Sequence, residues 1–347
     1  MSKAFSLRDR FVEREQPILL TGVQALVRLM LLQAESDAAA GLKTGGFVSG
    51  YRGSPLGTLD SAFATARDLT DERGIVVLPA VNEELAATAV AGSQQIDRTP
   101  DPRVQGVFSM WYGKGPGLDR ASDAVRHGNT QGTSRHGGVL VAIGDDHSAK
   151  SSSLTCYSDT VAAALHLPLL YPADADDILL FGLHGFAMSR LTGSWVGMKI
   201  VPDIADATFS AQPLPLPLPI VEPELNVPST GLHFRWPEMP VEQELRQVDY
   251  RLPAIAAYCA ANPLDKVYHR GPNARVGVMA AGKSWNDLQD ALRLLGLEAA
   301  DLERLGIALF KPAMIWSVQQ AALDFALGLD ELIVIEDKDP QIGRAHV

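Results

Sequence analysis

The chain has 347 residues, 46% hydrophobic and 20% charged, with 30 Lys and Arg against 41 Asp and Glu. That length accommodates two domains with sizeable cores, and a net charge of −11 without a basic block excludes nucleic-acid binding as the main task. Two distant cysteines, Cys156 and Cys259, are too few for an iron–sulfur cluster or a structural zinc.

The N-terminal MSKAFSLRDRFVEREQ has no apolar core of a signal peptide. The apolar stretch 17–33 is interrupted by Gln24 and Arg28, so it is not a membrane span. A cytoplasmic, reduced protein without membrane or nucleic-acid partners is expected. Next come helices over 21–39, 58–71, 82–97, 118–126, 157–166 and 174–191. Between them lie strands over 46–51, 75–81, 104–111, 138–144, 167–173 and 195–201. The strands are continuous apolar runs without alternation, which suits parallel strands covered on both faces. The rhythm predicts an α/β fold with a doubly wound parallel sheet over 1–210. The Pro-rich AQPLPLPLPIVEPELNVPST then begins a linker-and-helix segment, 211–270, with its helix over 241–261. A second, smaller α/β domain is expected over 271–341, with strands over 275–282, 306–310 and 331–337 and helices over 285–295 and 315–327.

Ligands of such sheets bind beyond the carboxyl ends of the strands, which makes four turns informative. GYRGSPLGTLD places Arg52, Gly53, Ser54 and Pro55 before a helix, a seat for a carboxylate or phosphate. Asn82-Glu83-Glu84 places carboxylates where a strand hands over to an Ala-rich helix; dipole complementation alone would account for them. WYGKGPGLDRASD flanks Lys114 with glycines that permit close backbone approach, or form a flexible loop. GDDHSAKSSS adds Asp145, His147, Lys150 and three serines. Two motif matches fail. Gly277 to Ser284 fits the P-loop expression, but its first Gly lies inside a strand. Gly144-Asp145-Asp146 starts like a Gly-Asp-Gly diphosphate and magnesium motif, yet no Asn lies between Asn129 and Asn226, so no metal site is assigned. His127 and His136 read as solvent-facing, and His184 as a packed histidine.

In this order, YRGSPLG, VNEELAATAVAG, GKGPGLDRASD and GDDHSAKSSS resemble the start of indolepyruvate ferredoxin oxidoreductase in its fused bacterial form. That family belongs to the thiamine-diphosphate-dependent 2-oxoacid:ferredoxin oxidoreductase superfamily. The likeness covers most of residues 14–210, and 274–337 resembles the transketolase C-terminal domain. The resemblance implies that 1–210 is a pyrimidine-binding domain. It implies that Glu83 is the catalytic carboxylate, hydrogen-bonding N1′ of the aminopyrimidine and favouring the imino tautomer that deprotonates the thiazolium C2. The Gly nine positions on, Gly92, selects Glu83 over Glu84, which is then a surface or interface residue. Gly53 is implied beside Glu83 in cofactor binding, and Ser54, Arg52 and Lys114 in binding the substrate carboxylate; many relatives have Pro in place of Arg52.

The resemblance further implies oxidative decarboxylation of indolepyruvate or another aryl 2-oxoacid to its acyl-CoA, with coenzyme A and ferredoxin as partners in a homo-oligomer. Mg²⁺ and iron–sulfur clusters are expected only from regions outside this chain, which would be an N-terminal fragment inactive alone. Another 2-oxoacid oxidoreductase, a catalytically silent assembly module and an NTPase are the alternatives. Finally, Ile342 to Val347, IGRAHV, can be read from a common sequencing-library adapter. Residues 342–347 are therefore expected to be an artefact that packs on nothing.

Overall fold

The computed structural model describes residues 6–346. Its strands are β1 (Ile18–Thr21), β2 (Thr44–Gly50), β3 (Ile75–Val77), β4 (Gly106–Lys114), β5 (Val139–Gly144), β6 (Leu169–Leu170), β7 (Val196–Ile200), β8 (Thr208–Ala211), β9 (Lys266–His269), β10 (Val276–Ala280), β11 (Ile307–Lys311), β12 (Met314–Trp316) and β13 (Glu331–Ile335). The main sheet has the order β12-β6-β7-β5-β4-β2-β3. All its pairings are parallel except that of β12 with β6. Every residue of β5 and β7 is buried, as the unbroken apolar runs require.

The helices that cover this sheet start and stop where side chains satisfy their free ends. Thr21 and Gln24 form a reciprocal capping box for Gly22–Ala39. Asp174 accepts from the Asp177 amide to open Ala175–Thr192, which ends at Gly193 with φ +76°. These two helices pack together, and Gly182 brings its bare backbone against Leu29. Glu83–Ser93 packs in turn on Gly115–Gln131.

A second sheet has the order β13-β10-β11-β9, parallel except for β9 at the edge. The doubly wound α/β sheet followed by a smaller α/β unit is thus present. Several local expectations need correction. Residues 315–327 are not one helix: Met314–Trp316 is β12, and the helix is Gln320–Ala326. The apolar Met314 and Ile315 are buried by pairing with the first sheet, so tertiary packing overrides a helical pattern. Strand β9 lies inside the span read as linker and helix, and β1 pairs with β8 in a ribbon that the strand series omitted. The Pro-rich stretch lies along the first unit, with Leu214, Leu216, Leu218 and Ile220 packed on its core. Arg251, fully buried, donates to the carbonyls of Asn129, Thr130 and Gln131 and so closes the end of helix Gly115–Gln131.

The expectation that 342–347 pack on nothing is overturned for Ile342, which is buried in the core. The Glu336 carboxylate accepts the amides of Gln341 at 2.7 Å, Ile342 at 2.7 Å and Gly343 at 3.0 Å, and this turn folds the apolar side chain inward. Val347 lies outside the described residues.

Candidate active site

Four turns leave the carboxyl edge of β2, β3, β4 and β5, and their side chains meet. Helix Glu83–Ser93 begins at Glu83 because Asn82 caps it, its side chain accepting the Leu85 amide at 2.8 Å. Glu83 is 8% exposed, whereas Glu84 points to solvent. The Glu83 main-chain carbonyl accepts the indole N–H of the fully buried Trp111 at 3.0 Å. Its side chain lies over Gly117, where an added Cβ would stand 2.7 Å from Cγ and Oε1. The carboxylate makes no hydrogen bond or ion pair among the described residues. Its oxygens are not among the fully buried unpartnered atoms, so they stay open to a donor from a ligand. Gly92 is exposed and a Cβ there would meet nothing within this chain.

The other turns join the same cluster. A Cβ on Gly53 would touch Lys114, 2.8 Å from its Cδ, so the lysine stem runs across the bare turn. Lys114 is half-buried, stands at the N-cap position of Gly115–Gln131 without a side-chain cap bond, and has no ion-pair partner among the described residues. Ser54 and Ser151 share a hydrogen bond between hydroxyls, which ties the first turn to the fourth. Pro55 and Leu56 close against Gly144 at the end of β5. Glu83, Lys114, Gly53 and Ser54 are therefore linked through Gly117 and its helix. Arg52 is exposed and makes no hydrogen bond or ion pair among the described residues.

The fourth turn has a different task. Asp146 accepts the amides of Lys150 at 2.8 Å and Ser151 at 3.0 Å, which shapes the loop. Burial would raise its carboxyl, but these bonds hold it below the usual range. Asp145 accepts from the Ser158 amide and hydroxyl. It also faces Lys199, whose fully buried ammonium lies 3.1 Å from Asp159, 3.4 Å from Asp337 and 3.8 Å from Asp145. Burial would lower the Lys199 ammonium, but the three carboxylates more than reverse this and raise it. Burial raises Asp159, against the pull of Lys199. Asp337 is held low: Lys199, Tyr171 and Ser284 outweigh its desolvation. This cluster joins the two sheets, and sequence reasoning missed it. The signal was a lysine inside the apolar run WVGMKIV. Trp111 was missed too, with nothing in FSMWY to separate it from core residues.

The P-loop match dissolves: Gly277 packs inside β10 on Leu329, and helix Gly282–Leu294 starts two residues after the strand. Lys283 pairs with Asp287. His184 is the packed histidine expected, bonded through Nδ1 to the Tyr258 hydroxyl at 2.7 Å and pushed down to about 4 by burial. Among the described residues, no helix is long and apolar enough to cross a membrane.

Residues 266–343 match the family model described as "Indolepyruvate oxidoreductase domain". Over 324 residues the chain is 27% identical to indolepyruvate oxidoreductase subunit IorA of Methanothermobacter thermautotrophicus, covering 91% of this chain and 48% of that protein. The IorA subunit of Methanothermobacter marburgensis is 24% identical, over 90% of this chain and 47% of its own length. The chain thus spans about half the length of these curated relatives. Among solved structures, a 2-oxoglutarate:ferredoxin oxidoreductase from Magnetococcus marinus, with 2-oxoglutarate, coenzyme A and succinyl-CoA bound, superposes with a TM-score of 0.66. That match covers 95% of this chain and 60% of the other at 16% identity, a likeness of fold.

Proposed function

We propose, from its membership of the thiamine-diphosphate-dependent 2-oxoacid oxidoreductase superfamily, that this chain presents the catalytic carboxylate of such an enzyme to the cofactor's aminopyrimidine ring. The observation that carries this reading is the Glu83 carboxylate: nearly buried, without a protein donor, and laid on the bare backbone of Gly117. The residues fit the pyrimidine half of the cofactor, because a ring N–H is the donor that this carboxylate lacks. Thiamine diphosphate, when bound, supplies the electron sink for decarboxylation of a 2-oxoacid.

The chain's own residues then have distinct tasks. Glu83 holds the shared proton at its carboxyl, in a wall that keeps competing water away. Gly53 leaves the room in the first turn that the Lys114 stem fills. The Ser54 hydroxyl and the unpaired Lys114 ammonium would bind the substrate carboxylate, and Arg52 adds charge at the rim. Locally cationic groups matter here, because the net charge of −11 repels a 2-oxoacid anion at long range.

Residues 1–210 would be the pyrimidine-binding domain and 271–341 the transketolase C-terminal-like one. The diphosphate site, Mg²⁺ and the iron–sulfur clusters would come from polypeptide outside this chain. The whole enzyme would convert indolepyruvate or another aryl 2-oxoacid to its acyl-CoA, pass electrons to ferredoxin, and work as a cytoplasmic homo-oligomer. The IorA names of the curated relatives favour the aryl substrate. The solved relative with 2-oxoglutarate bound favours the second reading, a different 2-oxoacid. The complete enzyme, assayed for coenzyme-A-dependent reduction of a low-potential acceptor with indolepyruvate, phenylpyruvate, pyruvate and 2-oxoglutarate, separates them. Activity highest with the aryl acids supports the first. Activity with no 2-oxoacid overturns both.

A further inference from the structure

The backbone of Glu83 and its side chain are each held by a different neighbour. Trp111 projects from β4, and its indole lies over Gly113, where a Cβ would be 2.6 Å from ring atom Cη2. With that seat bare, Nε1 reaches the Glu83 carbonyl at 3.0 Å. The bond fixes the first residue of helix Glu83–Ser93 beyond what the Asn82 cap achieves alone, since Asn82 binds the Leu85 amide and leaves Glu83 free to turn. The side chain is then directed by Gly117, whose missing Cβ vacates the volume that Glu83 Cγ, Cδ and Oε1 fill. Any larger residue at 117 would push the carboxylate aside. Both contacts belong to one strand–turn–helix unit, β4 into Gly115–Gln131.

We propose that Trp111 and Gly117 are positioning residues that set the direction of the Glu83 carboxylate, Trp111 through the main chain and Gly117 by leaving the side chain its space. Its catalytic consequence rests on the reading of Glu83 given above. A group displaced by about 1 Å loses on the order of 10²-fold in rate, and losing one neutral hydrogen bond is worth roughly fivefold.

The test reads the carboxylate itself before it reads turnover. The 347-residue chain is labelled with glutamate carrying ¹³C at its carboxyl, and Glu83→Gln identifies the Glu83 resonance. Trp111→Phe keeps the ring bulk and removes the N–H; Gly117→Ala adds one methyl. Both should shift the Glu83 carboxyl signal while leaving that of the exposed Glu84 in place. In the complete enzyme, Trp111→Phe should lower kcat roughly fivefold and Gly117→Ala on the order of 10²-fold, with KM for the 2-oxoacid nearly unchanged. An unmoved Glu83 signal in both variants overturns the proposal. A moved signal, in an enzyme whose Glu83→Gln variant retains full activity, supports the positioning and refutes the catalytic reading instead. If Gly117→Ala does not fold, Trp111→Phe carries the test alone.

Discussion

Replacing Lys199 by Met removes an ammonium that lies within reach of three buried carboxylates. Asp145 and Asp159 belong to the first unit and Asp337 follows β13 of the second, so the lysine joins the two. Its rings of support, Tyr171 at 4.7 Å and Tyr157 at 5.5 Å, supply no charge to replace it. Removing one partner of a buried pair costs about 3–5 kcal/mol, because the remaining charge is left desolvated. Against a total of roughly 5–15 kcal/mol, that is a large share. The cost should depend on pH. Burial already raises Asp159 against the pull of Lys199, and losing the lysine removes that pull, so the folded variant binds more protons there than the unfolded chain. Its stability is then retained in acid and falls as pH rises through the folded-state values. Urea denaturation of Lys199→Met and wild type at pH 5 and pH 8 should show the larger deficit at pH 8. Equal deficits at both pH values, or none, would refute the electrostatic account of this junction.

Two further expectations follow from particular groups. His184 is neutral in the fold and pushed down to about 4. The unfolded chain therefore takes up its proton first, and stability present above about pH 6.5 falls by up to about 3 kcal/mol as pH drops toward 4. His184→Gln should flatten that limb of the acid denaturation curve. Thiamine diphosphate with Mg²⁺ should give no calorimetric binding to this chain alone below about millimolar concentration, if the diphosphate and its metal are held by polypeptide outside this chain as proposed. Tight Mg²⁺-dependent binding would contradict the division of the site between this chain and further polypeptide.

The parts of the fold that were legible in the sequence are those where local pattern and final environment agree. VLVAIG is apolar throughout, and VGMKI is apolar but for Lys199, because both sheet faces are covered; they became β5 and β7 as read. The strand expected over 75–81 stops at Val77, because Leu78 and Val81 turn out to solvent, 56% and 78% exposed. Met314–Trp316 could not be read as a strand, since its partner Leu169–Leu170 lies about 145 positions earlier and in the other unit. The turns that carry Gly53, Ser54, Glu83 and Lys114 stood out by their place at strand ends, while the roles of these residues came from the family resemblance; in the fold Gly53 lies against Lys114 and Ser54 bonds Ser151. Arg52 shares their charge logic and is exposed next to Gly53. Trp111 carried no signal of its own, because a buried indole looks like ordinary core, whereas Gly117 was legible only as one of the glycines that permit close backbone approach. Ile342 was masked by the adapter reading of its segment, although an isoleucine beside a capped turn has good reason to be buried.

The central claim is that Glu83, and not its neighbour Glu84, serves the aminopyrimidine. It is tested most directly by hydrogen–deuterium exchange at the thiazolium C2 in the complete enzyme. Glu83→Gln should slow that exchange by about 10²–10⁴-fold, the scale of a positioned acid–base group, without loss of folding. Glu84→Gln, a change at an exposed position, should leave exchange within about twofold of wild type. Equal effects of the two substitutions, or unaltered exchange in Glu83→Gln, would contradict the account.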